Sequence, residues 1–158
     1  MSKQIRSIVA VLSTPFKEDL SLDEESLRRL IDYCVDDARV HGISGPGGVG
    51  ESDRMTEGEL KRVIDIMVGQ AAGKVPVVIG LVRSNIASSV ALAKYAEGAG
   101  ADAIFARLGP TRFPPDIYGF CAAMAQAVDI PIMVYDVNTF YVPSEMILRL
   151  SKEYPNIC

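Results

Sequence analysis

The strongest constraint on this chain is a unit that recurs along it. A short apolar, β-branched run, a turn containing Gly or Pro, and an amphipathic helical stretch follow one another repeatedly. The runs lie at residues 8–12, 42–45, 75–80, 103–106 and 131–135. They recur roughly every 26–34 residues, the length of one stacked supersecondary unit. Each run is apolar almost throughout, as a parallel strand buried on both faces requires. Strands alternating with helices in this way call for a parallel α/β sheet with right-handed crossovers.

The helical stretches carry their own signals. Ser21 with Glu24 has the spacing of a capping box, and Leu27, Leu30, Ile31, Cys34 and Val35 then form one apolar stripe. Thr56 with Glu59 has the same spacing ahead of Leu60, Val63, Ile64 and Met67. A third helix is expected over 86–97, closed by Gly98-Ala99-Gly100. Pro114-Pro115-Asp116 opens a fourth, to about residue 128. Pro143-Ser144 opens a fifth that Pro155 ends. Nothing marks a linker, so residues 1–158 read as part of one domain.

Two architectures satisfy this pattern. One is an open, doubly wound sheet that binds a nucleotide or flavin; the other is a closed barrel. The open sheet usually carries a phosphate-cradling glycine loop after its first strand. Here the first run ends in Ser13-Thr14-Pro15-Phe16, and the glycines follow the second run instead.

Charge and composition narrow the function. A formal charge of −4 and a pI near 5.0 argue against a nucleic-acid partner, which normally meets a basic stripe. The 8–12 run is too short for a membrane span or a signal sequence. Cys34, Cys121 and Cys158 form no C-x-x-C pair, and the first two fall on apolar helical stripes. They read as buried free thiols of a cytoplasmic protein. His41 is the single histidine and has no metal-ligand company, so no metal site is expected.

In either architecture chemistry belongs at the C-terminal ends of the strands. The segment Gly45-Pro46-Gly47-Gly48-Val49-Gly50-Glu51-Ser52 can present consecutive N–H groups to an anion, or can simply be a tight turn. It lacks the lysine and hydroxyl of a P-loop. Tyr135, closing the fifth run, can relay a proton in a cleft or pack at a strand end with its hydroxyl in water. Arg107 and Arg112 flank Gly109-Pro110, where a guanidinium can grip a carboxylate or lie on a surface loop. Asp136 is a polar site residue or the start of a turn. No Ser/His/Asp, Cys/His or paired-carboxylate set can be assembled.

Several elements together resemble the dihydrodipicolinate synthase / N-acetylneuraminate lyase family. They are Val9-Ala10-Val11-Leu12-Ser13-Thr14-Pro15-Phe16, Gly48-Val49-Gly50-Glu51-Ser52, Gly73-Lys74-Val75-Pro76-Val77-Val78-Ile79-Gly80, the stretch 96–102, Ile132-Met133-Val134-Tyr135 and Tyr154-Pro155-Asn156-Ile157-Cys158. They occur in family order and spacing over nearly the whole chain.

The resemblance implies a (β/α)8 TIM barrel, of which this chain holds about the first five βα units. It also implies a lyase or aldolase acting on a pyruvate-type 2-oxo acid through a Schiff base on a strand-six lysine, with no cofactor. By position, Gly48, Val49 and Gly50 match the backbone that binds the oxo-acid carboxylate, with Thr14 counted beside them. Tyr135 matches the family's proton-carrying tyrosine. A homo-oligomer, dimer or tetramer, is implied for the complete protein.

The departures from the family pattern are informative. Gly48 and Val49 stand where the usual G-T-T-G-E-S carries two threonines, so the hydroxyl relay feeding the tyrosine is absent. Leu108-Gly109-Pro110-Thr111 replaces T-P-Y-Y, which removes a tyrosine often lent by a neighbouring subunit. The segment after Tyr135 is short, with Phe140 near the place of a substrate arginine. A divergent 2-oxo-acid aldolase, or a sugar-acid dehydratase such as the 5-dehydro-4-deoxyglucarate dehydratase branch, fits these changes better than a dihydrodipicolinate synthase. The family lysine falls a few residues beyond Cys158, and none of Lys3, Lys17, Lys61, Lys74, Lys94 and Lys152 replaces it. Residues 1–158 alone are therefore expected to be inactive. The competing reading is a catalytically inactive homologue serving as a binding or assembly partner.

Overall fold

The computed structural model describes residues 5–83, 85–108, 114–135 and 142–158. The described strands are β1 (Val9–Val11), β2 (Gly42–Gly45), β3 (Val77–Arg83), β4 (Ala103–Leu108) and β5 (Ile132–Tyr135). Between and after them come helices α1 (Glu24–Asp32), α2 (Glu57–Ala71), α3 (Ile86–Ala99), α4 (Pro114–Ala127) and α5 (Ser144–Glu153).

The strand order is β1-β2-β3-β4-β5 and every pairing is parallel. Right-handed crossovers that always step to the same side leave every helix on one face of the sheet. Helices adjacent in sequence accordingly pack on one another, α1 on α2 through to α4 on α5. A doubly wound sheet needs a reversal of direction, with helices on both faces. No reversal occurs here, which overturns the nucleotide- or flavin-binding alternative. The architecture is the first part of a (β/α)8 barrel, helices outside. Beyond α5, Ile157 forms a parallel bridge with Ile132. The Ile132 N–H donates to the Asn156 carbonyl (2.7 Å) and the Cys158 N–H to the Ile132 carbonyl (3.0 Å).

The two faces of the sheet differ. Ile43, Ile79, Leu81, Ile104 and Ile132 point outwards and pack with Leu27, Ile31, Leu60, Ile64, Met67, Leu92 and Met124 of the helices. Each such side chain contributes about 1.5–3 kcal/mol by leaving water. The alternate positions face the barrel interior in register: Val11, Ser44, Val78 and Ala103, then Gly80, Phe105 and Met133, then Tyr135. Runs expected to be buried on both faces are thus closed by helices on one only, and Val11 and Tyr135 are about half exposed.

The helix starts show which local signals won. Thr56 and Glu59 form the expected reciprocal capping box. The Ser21–Glu24 box is corrected: Asp23 caps α1, accepting from the Ser26 N–H at 3.0 Å. Ser21 instead donates its hydroxyl to Asp19 at 2.6 Å, inside the turn that pairs Phe16 with Leu22. The carboxylate nearer the first helical turn is the better cap. After α1 the chain widens into a π-helical turn, Tyr33–Asp37, which still buries Cys34 and Val35. α3 ends at Gly100, whose φ of +99° is the left-handed C-cap that glycine supplies.

Candidate active site

The glycine segment after β2 sits at the C-terminal end of the sheet and is tied to the end of β1. Thr14, nearly buried, donates its hydroxyl to the Gly50 carbonyl at 2.8 Å. A side chain at position 50 would stand 3.0 Å from the Thr14 hydroxyl and 3.3 Å from the Leu12 carbonyl, so glycine lets the two elements approach without displacing either. Two of the loop's N–H groups are used internally: Glu51 donates to the Gly48 carbonyl and Ser52 to the Gly47 carbonyl, both at 3.2 Å. Glu51 takes φ +55°, a left-handed conformation costing a non-glycine residue about 1–2 kcal/mol. Among the described residues nothing accepts from the N–H groups of Gly48, Val49 and Gly50. Gly48 and Val49 are exposed. Consecutive N–H groups without an internal acceptor are the makings of an anion site.

Tyr135 is the last residue of β5, in register with Arg107 of β4. Its ring lies 5.5 Å from that of Phe105, tilted by 52°. That geometry contributes about 0.5–1.5 kcal/mol beyond area burial. Phe105 also reaches the glycine loop, since a Cβ added at Gly47 would fall 2.8 Å from its Cζ. One ring therefore touches the β2 loop and the β5 tyrosine, which places both on the same, inner face. Among the described residues the Tyr135 hydroxyl has no hydrogen-bond partner.

Other residues singled out in the sequence fall elsewhere. His41 accepts from the Ile8 N–H at 3.4 Å, at the N-terminal end of β2 and away from the site. No described strand carries a lysine. Lys74 pairs with Asp36 and Lys61 with Glu57, while Lys152 is exposed on α5. Arg112, Asp136 and Phe140, and the stretch matching T-P-Y-Y from Gly109 on, lie outside the described residues, as does Lys3.

Burial pushes the thiols of Cys34 and Cys121 up, that of Cys121 to about 11, so neither is poised as a nucleophile.

Two residues, Phe105 and Ser44, escaped the sequence reading, and a third, Ser52, was read only as part of the loop. Phe105 fills the interior below the loop, and its only trace in the sequence is a large ring set among small residues. Ser44 and Ser52 are buried with hydroxyls that find no partner among the described residues. Ser52 stood in the recognised loop, whereas Ser44 became visible only when the register put it on the inner face.

A parallel sheet with helices on one face, and a glycine loop and a tyrosine at its C-terminal end sharing the Phe105 ring, is the first part of a (β/α)8 barrel scaffold. The profile of the Dihydrodipicolinate synthetase family matches residues 4–158. Relatives include proteins named 4-hydroxy-tetrahydrodipicolinate synthase from Methanopyrus kandleri, 34% identical over 99% of this chain and 54% of its own, and from Salinibacter ruber, 35% identical over 96% and 52%. Among solved structures, dihydrodipicolinate synthase from Aquifex aeolicus superposes with a TM-score of 0.88 at 30% identity, covering 94% of this chain and 52% of that one. An N-acetylneuraminate lyase from Mycoplasma synoviae shares the fold, with a TM-score of 0.84 at 24% identity over 94% and 51% of the two chains. The chain belongs to the dihydrodipicolinate synthetase family. It spans about half the length of the curated relatives it matches.

Proposed function

We propose that the complete protein is a lyase of the aldolase type, acting on a small 2-oxo acid of the pyruvate kind, or on a sugar acid, through a Schiff base. The observation that carries this reading is that one ring, Phe105, stands against both Tyr135 and Gly47, the residue that leads into the backbone of residues 48–50. A carboxylate accepting from Gly48, Val49 and Gly50 holds the substrate at one wall, with Thr14 bracing the loop from behind. The phenol of Tyr135 forms the other wall and carries protons.

The reacting amine, in this reading, is a lysine on a sixth strand of the complete protein, on the side of β5 where Ile157 bridges Ile132. Its nitrogen adds to the carbonyl carbon and loses a proton. The former carbonyl oxygen gains two protons, one from that nitrogen and a second from solvent, and leaves as water, giving an iminium. Tyr135 moves the proton from nitrogen to oxygen. The iminium then accepts the electron pair of the bond broken next to it, or supplies that pair as an enamine when a bond is made. Residues 1–158 alone hold the two walls but not the amine, and so form no imine.

The test is borohydride trapping on the complete protein with pyruvate and a panel of sugar acids. The reading expects a reduced covalent adduct with at least one of them. Absence of any adduct with the whole panel sinks it.

A further inference from the structure

We propose that Phe105 is the positioning residue of this pocket: its ring is the floor that fixes the Tyr135 phenol against the glycine loop, and Gly47 and Gly80 lack side chains so as to admit it. The inference rests on the proposed roles of Tyr135 and residues 48–50.

The geometry assigns this role from four consecutive elements. Gly80 of β3 is directly opposite Phe105 of β4 in register, and a methyl there would penetrate the ring. A methyl on Gly47 would stand 2.8 Å from the ring tip, closer than real carbons approach. The ring tip therefore occupies space that two glycines on different elements leave open. On its other side, Phe105 faces Met133 in register and reaches Tyr135 diagonally, at 5.5 Å between centroids. Diagonal neighbours on parallel-facing positions of a sheet meet when one is aromatic.

Two further observations separate this from ordinary packing. Phe105 is only half-buried and does not belong to the core that the helices form with the outer face of the sheet. Truncating it therefore leaves that core intact. Positions 48 and 49 carry no hydroxyl, and among the described residues the Tyr135 phenol makes no hydrogen bond. The contact with Phe105 is thus the described interaction that orients the phenol. A planar ring with two torsions holds such a neighbour more rigidly than a flexible aliphatic chain of similar volume.

The experiment compares the complete protein with its Phe105→Leu, Gly80→Ala and doubly substituted forms, using single-turnover imine formation with pyruvate trapped by borohydride across pH. Phe105→Leu is expected to lower the rate of imine formation by about 10- to 100-fold, the scale of an ångström-sized misplacement. KM should change little, because the carboxylate wall is backbone. Gly80→Ala, by displacing the ring, should lower the rate similarly, yet have no further effect once position 105 is leucine. That non-additivity is what a structural loss unrelated to the phenol does not give. Should Phe105→Leu lose its folding transition, Phe105→Met takes its place under the same criterion. An unchanged rate in the position-105 variant, or additive losses, overturns the proposal while the Schiff-base reading stands. A wild-type protein that traps no pyruvate overturns both.

Discussion

The hydroxyl of Thr14, at the end of the first strand, donates to the carbonyl of Gly50 across 36 positions of sequence, at 2.8 Å and out of contact with water. That bond ties the glycine loop after β2 to the end of β1.

Thr14→Val keeps the shape and removes the donor. It leaves a buried carbonyl unsatisfied, at a cost of about 1–3 kcal/mol in stability. In the complete protein it should raise KM for a 2-oxo acid more than it lowers kcat, because the loop holds the carboxylate. Gly50→Ala should destabilise by a similar amount, about 1–3 kcal/mol, since its methyl meets the Leu12 backbone at 3.3 Å as well as Thr14. Urea midpoints and Michaelis plots check both.

The start of α2 gives a pH signature. Hydrogen bonds from the Thr56 N–H and hydroxyl, both 2.8 Å, hold the Glu59 carboxyl below the usual glutamate range. A carboxylate whose pKa is depressed by folding stabilises the fold above its unfolded pKa, and that contribution fades as pH falls through the folded value. The window opens at about pH 4.3 and extends downward. Glu59→Gln should therefore lower Tm near neutrality, and the difference from wild type should shrink on acidification below that point. Thermal melts between neutral pH and pH 3 decide; a difference that grows on acidification contradicts the assignment.

The cysteines should label unequally. Desolvation pushes all three thiols up, but Cys34 and Cys121 are buried, Cys121 pushed to about 11, whereas Cys158 is exposed and open to reagent. Iodoacetamide on the native 158-residue chain should modify Cys158 first, and the other two only on unfolding. Peptide mass spectrometry over time reads this directly, and early modification of Cys121 would contradict the packing of α4.

Much of this fold was legible because the repeat states it. The run at 42–45 is β2, the Thr56–Glu59 spacing is the cap of α2, and Gly100 closes α3. Strand order was not legible in the repeat; the family resemblance supplied it, by implying a barrel. It depends on which way each crossover turns, and no local pattern records that. Ser21 and Asp23 offer alternative caps two residues apart, and the turn built on Asp19 decided between them. The π-helical turn at 33–37 keeps the same buried stripe as an α-helix and so leaves no trace in periodicity. At the site, the glycine loop and Tyr135 stood out by type and position. Phe105 did not, because its importance lies in what it touches: two glycines and a tyrosine on three other elements.

The central claim is that the backbone of residues 48–50 and the phenol of Tyr135 act on one substrate. The most direct measurement is borohydride trapping of pyruvate by the complete protein, wild type against Tyr135→Phe, with the modified residue located by mass spectrometry. The account predicts an adduct on a lysine shortly after Cys158, formed at least about 100-fold more slowly when the phenol is removed. An adduct elsewhere, or one that forms as fast without the phenol, would contradict it.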